Sequence, residues 1–521
     1  MLRTIAPKRA RRAAVAALLF AVLGPAGAQL PARAGAQAGL EEELQAGALE
    51  ALGKKELPAF LVKVEDRLRK LLAEKDTVRT RGADLEALEH YRNVARFFAA
   101  TSVSGKPEQR EFLAWLIGQR KFCSRFLHAM SSGDVPSSAV DVLRRLKAVE
   151  GQTEKQYLDH YEMAIAFAII WDTYRWHYWT KLEVPPERME EVWKYYVTNG
   201  PRLRTDPRKL THELLRHVVD HPLTKEERDF VMANYATRRD LGTAFTDIKW
   251  IMSADSLAQN RKRKAPYTLV NIKKYNGVCM EQAYYCACVA KVLGVPAVYL
   301  CGKGKRGGHA WTGMLQMRGG SPGWKMDIGR YWYDRYWRGY SFDPAFRRRA
   351  RTDGEIMMTA GLMSVPVSRR ESADARRNAA LWLWMGSPGI GAKPVRLKKP
   401  EKPGQTIPPP AELTAEQKKL VHDLLLDAVK LNPFERRNWL MVGYAVATGT
   451  FDLDQVQTFS NLMFRSLGRI SPDFACRRAQ TFLYAVPDRA ARDRIYESCF
   501  NYFRSRPDLA AEPKVSQGRM W

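Results

Sequence analysis

An α+β fold is predicted for this chain: one cysteine-bearing helix followed by short strands, with all-helical regions on both sides. Three observations predict it. Apolar residues recur at helical spacing from Pro58 to about Val219, change to short alternating segments separated by glycine between Ala297 and Ile328, and return to helical spacing beyond Pro410. A block of strands between helical blocks is the pattern of an α+β protein rather than of an alternating α/β one. With 521 residues, 45% of them apolar and 27% charged, the chain is globular in composition and long enough for about three domains.

The N-terminus carries Arg3, Lys8, Arg9, Arg11 and Arg12, then the apolar run Ala13 to Leu23, then Ala26-Gly27-Ala28. Basic flank, short apolar run and small-residue cleavage site together read as a signal peptide over 1–28, cut before Gln29. The run is well short of the roughly 20 residues that span a bilayer, so the expectation is an exported chain in the periplasm, the cell envelope or outside the cell, with no transmembrane segment after cleavage. The formal charge of +28 loses five cations with the leader and stays strongly positive. Such an excess attracts polyanions. No zinc-finger spacing or aromatic RNA-binding signature accompanies it, so nucleic acid is not expected; a protein or peptide substrate, acidic or associated with the envelope, is.

Residues 29–55 are rich in alanine and glycine and are expected to be flexible. A helical region is placed over 56–245. Phe60, Leu61, Val64, Leu68, Leu71 and Leu72 open it at helical spacing, and Met163 to Trp171 is apolar all round, the mark of a helix buried on every side. Thr224 and Glu227 form a capping box. His217 and His221 stand four apart, as paired metal ligands on a helix do, but Pro222 ends the helix and no third ligand follows; no metal and no cofactor are expected. The core is assigned to 246–390 and a proline-rich linker to 391–412. A tetratricopeptide-like helical region occupies 413–521, with helices starting at Thr414 and after Pro433, Asp452, Pro472 and Asp488.

The chemistry is concentrated in the core. Asn276-Gly277 makes a turn, Cys279 opens a helix, and Gly294-Val295-Pro296 stops it. A thiol at a helix N-terminus is exposed to unpaired N–H groups that favour the thiolate. Strand segments then follow at Ala297–Cys301, His309–Met317 and Trp324–Ile328. Gly302 to Gly307 matches a dinucleotide-binding glycine pattern, but a strand follows it where a helix is needed. His309 shares a strand face with Trp311, Gly313 and Leu315. A hairpin centred near Arg318 would set Asp327 opposite His309; Asp343 could serve only from a later element. The resulting set, Cys279 as nucleophile, His309 as base and Asp327 as orienting acid, points to thiol-dependent acyl transfer or hydrolysis. Seven cysteines, an odd number, leave at least one thiol unpaired.

The motifs Gly277-Val278-Cys279, Gly294-Val295-Pro296-Ala297, His309-Ala310-Trp311 and Trp324 to Asp327 resemble those of the transglutaminase-like superfamily of papain-related thiol enzymes. The resemblance covers Gly277 to Pro344. It implies a Cys-bearing helix packed on an antiparallel sheet, a triad of Cys279, His309 and Asp327, and peptidase, amidase or acyltransferase activity. Val298, Thr312-Gly313 and the position of Asp343-Pro344 depart from the family pattern, and the last keeps the identity of the acid open. A non-catalytic binding or assembly protein built on the same scaffold is the competing expectation.

Overall fold

The computed structural model describes residues 34–74, 81–100, 107–131, 134–173, 175–177, 182–184, 188–252, 266–304, 307–318, 321–330, 339–342, 350–385, 411–468 and 470–504. The expected signal peptide over 1–28, almost all of the proline-rich linker and Asp343 lie outside them.

The N-terminal half is helical: α1 (Ala34–Lys54), α2 (Leu57–Ala73), α3 (Gly82–Ala100), α4 (Pro107–Gly118), α5 (Arg120–Ala129), α6 (Pro136–Lys147), α7 (Glu154–Asp159) and α8 (Tyr161–Ile170), then after a short ribbon β1 (Arg175–His177) and β2 (Leu182–Val184), α9 (Arg188–Asn199), α10 (His212–Val219) and α11 (Lys225–Tyr235). The expectation of a flexible 29–55 is corrected. Ala34–Lys54 is one helix, and Leu44, Ala48, Ala51 and Leu52 are buried. Alanine-rich composition suits a helix as well as a loop, and an apolar residue each turn supplies the packing face. Helix α8 is buried from Glu162 to Ile170, as its all-round apolar sequence demands. Thr224 and Glu227 close the capping box that starts α11.

The centre holds α12 (Leu269–Tyr275), α13 (Cys279–Val292) and a small antiparallel sheet of β3 (Ala297–Gly304), β4 (Gly307–Arg318), β5 (Ser321–Ile328), β6 (Tyr340–Phe342) and β7 (Ala350–Thr352), in the order β5-β4-β3-β6-β7. Gly294, at φ 76°, ends α13 in the left-handed conformation that glycine adopts at low cost. The glycine pattern after β3 is a hairpin, with Gly304 paired to Gly307. Helices α14 (Asp353–Gly361) and α15 (Val367–Met385) follow, then α16 (Ala415–Leu431), α17 (Arg436–Ala447), α18 (Leu453–Leu467), α19 (Pro472–Ala485) and α20 (Arg489–Arg504). The C-terminal helices start where capping residues at Thr414 and Asp452 and prolines near 433 and 472 place them.

The sheet divides the interior. One face, with Ala297, Tyr299, Ala310 and Met314, packs on α13. The other, with Val298, Leu300, Trp311, Leu315, Trp324 and Met326, joins a single apolar cluster that runs through the N-terminal helices, α14, α15 and the C-terminal helices. The described parts of the N- and C-terminal regions thus share one core, although a proline-rich stretch separates them in sequence.

Candidate active site around Cys279

Cys279 is the first residue of α13. The turn before it is tightly specified. Asn276 has φ 59°, accepts a hydrogen bond at Oδ1 from Lys249 N–H (2.8 Å), and leads into Gly277, where a Cβ would lie 2.5 Å from Glu281 Cγ. Glu281 folds back over this glycine and accepts from Val278 N–H at 3.0 Å, the acidic half of a capping box, while Tyr267 donates to its other oxygen at 3.2 Å. Lys249 O and Ile251 N–H pair with Gly277 N–H and O, so an extended segment runs beside the turn.

The Cys279 thiol is half-buried, and burial pushes its pKa above the ordinary thiol value. Backbone N–H groups of Ala310, Met280 and Cys279 itself oppose that, and the nearby Glu281 carboxylate adds to it. The helix end that is expected to favour the thiolate is opposed in the folded chain. A buried carboxylate beside the first turn offsets the positive helix end, and desolvation does the rest.

His309 is 6% exposed, near the start of β4. Its ring stacks on Trp311 at 6.0 Å, as the expected strand face requires, and its Nε2 lies 2.8 Å from Gly329 O. A carbonyl oxygen can only accept, so Nε2 carries the hydrogen and Nδ1 is the nitrogen able to act as base. The thiol meets this strand at Ala310, the next residue. Alternation sends Ala310, Thr312 and Met314 toward α13, where Thr312 Oγ1 donates to Ala283 O at 3.1 Å, and sends Trp311 and Leu315 to the opposite cluster. Sulfur and imidazole therefore approach β4 at adjacent residues and from different sides of its backbone.

Asp327 is not brought to His309. The β4–β5 turn lies later than expected, with Arg318 paired to Ser321 and Met314 to Lys325, and a register shift between Thr312 and Met314 then pairs Thr312 with Ile328. One residue of β4, Gly313, then opposes two of β5, Met326 and Asp327, so the extra residue bulges. Met326 turns into the core, Ile328 faces α13, and Asp327 is exposed. Its carbonyl accepts from Arg330 N–H (3.1 Å), closing a turn that includes Gly329 at φ 81° and aims the Gly329 carbonyl at His309. The orienting acceptor is thus a backbone carbonyl two residues after the expected carboxylate. Sequence reasoning missed it because a carbonyl has no residue signature; the only hint was a glycine just past a strand end.

Among the described residues Cys123, Cys279, Cys286, Cys288 and Cys301 are free thiols. Burial pushes Cys286 and Cys288, on the same helix as Cys279, up to about 12, which leaves Cys279 as the reactive thiol of this helix. His217 stacks edge-on against Trp324, whereas His221, beyond the end of α10, meets Tyr196 OH at 3.0 Å, so the spaced pair is split between different partners. No protein-family model, no curated protein and no solved structure matches this chain.

Proposed function

We propose that the chain is an exported, transglutaminase-like thiol enzyme that hydrolyses or transfers the acyl group of a peptide or amide bond. The observation that carries the reading is the placing of both groups at adjacent residues of β4, from its two sides: a helix-opening cysteine whose thiol contacts Ala310 N–H, and a histidine whose Nε2 is held by Gly329 O. The scheme requires the His309 ring to turn from the Trp311 face of β4 toward the sulfur, where Nδ1 takes the thiol proton as the sulfur attacks the carbonyl carbon. The same proton passes to the leaving amine as the C–N bond breaks, leaving a thioester on Cys279. Water, or a primary amine, then attacks the thioester and restores the thiol. The N–H groups near the sulfur, Ala310 and Cys279 among them, are the candidate donors to the oxyanion. Burial pushes the Cys279 thiol up, which favours proton removal in step with attack. Asp327 has no part in this scheme.

The raised thiol also favours a second reading, a binding or assembly protein that keeps the scaffold without the reaction. Incubating wild type and Cys279→Ser with cell-envelope peptides, and following products by mass spectrometry, separates the two. New peptides or cross-links from wild type alone support the enzyme; identical mixtures overturn it. No helix among the described residues is long and apolar enough to cross a membrane, and detection of the mature N-terminus at Gln29 tests the export.

A further inference from the structure

Beside the turn that opens α13, one stretch of main chain is unpaired on its outer side. Lys249 O accepts from Gly277 N–H at 3.3 Å and Ile251 N–H donates to Gly277 O at 2.8 Å, the pattern of a parallel bridge between Trp250 and Gly277. In such a bridge the N–H and C=O of Trp250 itself point away from Gly277, and neither is hydrogen-bonded among the described residues. Trp250 is 55% exposed, and Met252, on the same side of an extended chain, is 70% exposed. Helix α12 runs alongside. Its Lys273 reaches Asp247 Oδ2 at 3.3 Å, Asn276 at its end accepts from Lys249 N–H, and the exposed Val270 lies one turn before Lys273 and Lys274.

The charge of this surface is positive. Asp247 is taken up by Arg238 and Lys273, and Glu281 is buried. Lys249 and Lys274 are exposed and pair with no carboxylate among the described residues; Lys274 lies over the Tyr275 ring at 5.0 Å. An exposed tryptophan and methionine among free lysines suit either an acidic peptide or an anionic membrane surface. The open main chain decides between them. A lipid headgroup has no paired donor and acceptor to meet Trp250 N–H and C=O, whereas an extended peptide offers both at the spacing of a strand. Left uncovered, such an edge is a liability.

On the reading of Cys279 as a nucleophile toward peptides, we infer that the open edge at Trp250 docks the substrate, an extended peptide with acidic side chains, as an added strand. The peptide main chain accepts from Trp250 N–H and donates to Trp250 C=O, its carboxylates meet Lys249 and Lys274, and its apolar side chains cover Trp250 and Met252. Strands lie about 4.8 Å apart and rise about 3.3 Å per residue, so a peptide held there runs about 10 Å from Gly277 and reaches the neighbourhood of Cys279 within about three or four of its own residues. The reacting bond thus lies outside the docked residues, and the edge selects substrate without touching the chemistry.

The test is binding to the Cys279→Ser chain, which holds a peptide without consuming it, followed by the fluorescence anisotropy of a labelled decapeptide that alternates valine with glutamate. This peptide should bind about tenfold or more tighter than the same peptide with lysine in place of glutamate, or with every amide N-methylated so that it cannot pair as a strand. Lys249→Glu combined with Lys274→Glu should weaken the glutamate peptide about tenfold and strengthen the lysine one; a reversed preference cannot come from loss of the fold. Equal binding of all three peptides, binding of the glutamate peptide that survives the double reversal, or tighter binding to phosphatidylglycerol vesicles that the reversal abolishes would each overturn the inference. Strand-like binding without any product from wild type would overturn the reaction at Cys279 and not the docking edge, so the two readings fail separately.

Discussion

Proton distribution around Cys279 is decided by a few neighbours. Burial and Glu281 both favour the neutral thiol, so alkylation of Cys279 by iodoacetamide should still accelerate as pH rises past the ordinary thiol range. Glu281→Gln should move that profile to lower pH by removing a negative charge; a profile that moves upward or stays put would show that the carboxylate is not acting on the sulfur. The third group of the site can be tested by contrast. Asp327 is exposed, so Asp327→Ala should change stability by no more than about 0.5 kcal/mol and leave turnover intact. At Gly329 a Cβ would lie 2.2 Å from the Phe245 ring, and φ is 81°. Gly329→Ala should therefore cost roughly 1–3 kcal/mol and displace the carbonyl that sets the His309 tautomer, changing the pH dependence of turnover as well as its size. Loss of activity in Asp327→Ala with a normal Gly329→Ala profile would restore the carboxylate to the role.

The sheet holds the site by its register. The β-bulge opposite Gly313 lets Met326 and Ile328 reach opposite cores from the same strand, and it is the reason Asp327 faces solvent. Gly313 has no room for a side chain: a Cβ would meet Met326 Sδ at 2.4 Å and Val298 Cγ2 at 2.8 Å. Gly313→Ala should destabilise the protein by about 1–3 kcal/mol through overpacking, read as a lower midpoint in guanidinium, and Gly313→Ala with Met326→Ala should recover part of that loss. Helix starts are less critical. The box at Thr414 and Gln417 caps α16 at an exposed end, so Thr414→Ala should cost about 1 kcal/mol without affecting chemistry at Cys279.

At the scale of the molecule, one apolar cluster joins the first helices to the last, and polar contacts reinforce the join: Arg437 reaches His128 O, Arg436 pairs with Glu355 at 2.9 Å, and Ser372 donates to Glu86 at 2.5 Å. Unfolding monitored by far-ultraviolet circular dichroism and by tryptophan fluorescence should give coincident transitions, where independent flanking domains would give two. The pH window of stability follows from buried neutral groups. Burial lowers His128 to about 4 and lowers His90 well below its ordinary value. Below about pH 6.5 the unfolded chain takes up protons that the native histidines refuse, so stability falls as pH drops from 6.5 toward 4, by roughly 3 kcal/mol for His128 alone. At the other end Cys123, Cys286 and Cys288 are raised to about 12; the unfolded thiols ionise first, and stability falls again as pH rises above about 9. Thermal midpoints measured across pH should show both flanks, and a His128→Gln variant should flatten the acid one.

Local signals were legible without coordinates because their causes lie within a few residues. Helical spacing located α2 and α8; hydroxyl and carboxyl caps located α11, α16 and α18; Gly294 ended α13; Cys279 stood at that helix's first turn; and His309 shared a strand face with Trp311. What only the tertiary structure decided depends on atoms far apart in sequence or on groups every residue possesses. The bulge in β5 is set by packing in two cores at once, so no count from a turn could place Asp327, and the partner of His309 is a main-chain oxygen that any residue at 329 would carry. Whether a helix-opening sulfur is ionised depends in the same way on its net surroundings: composition shows the dipole, but not the desolvation and the folded-back Glu281 that outweigh it.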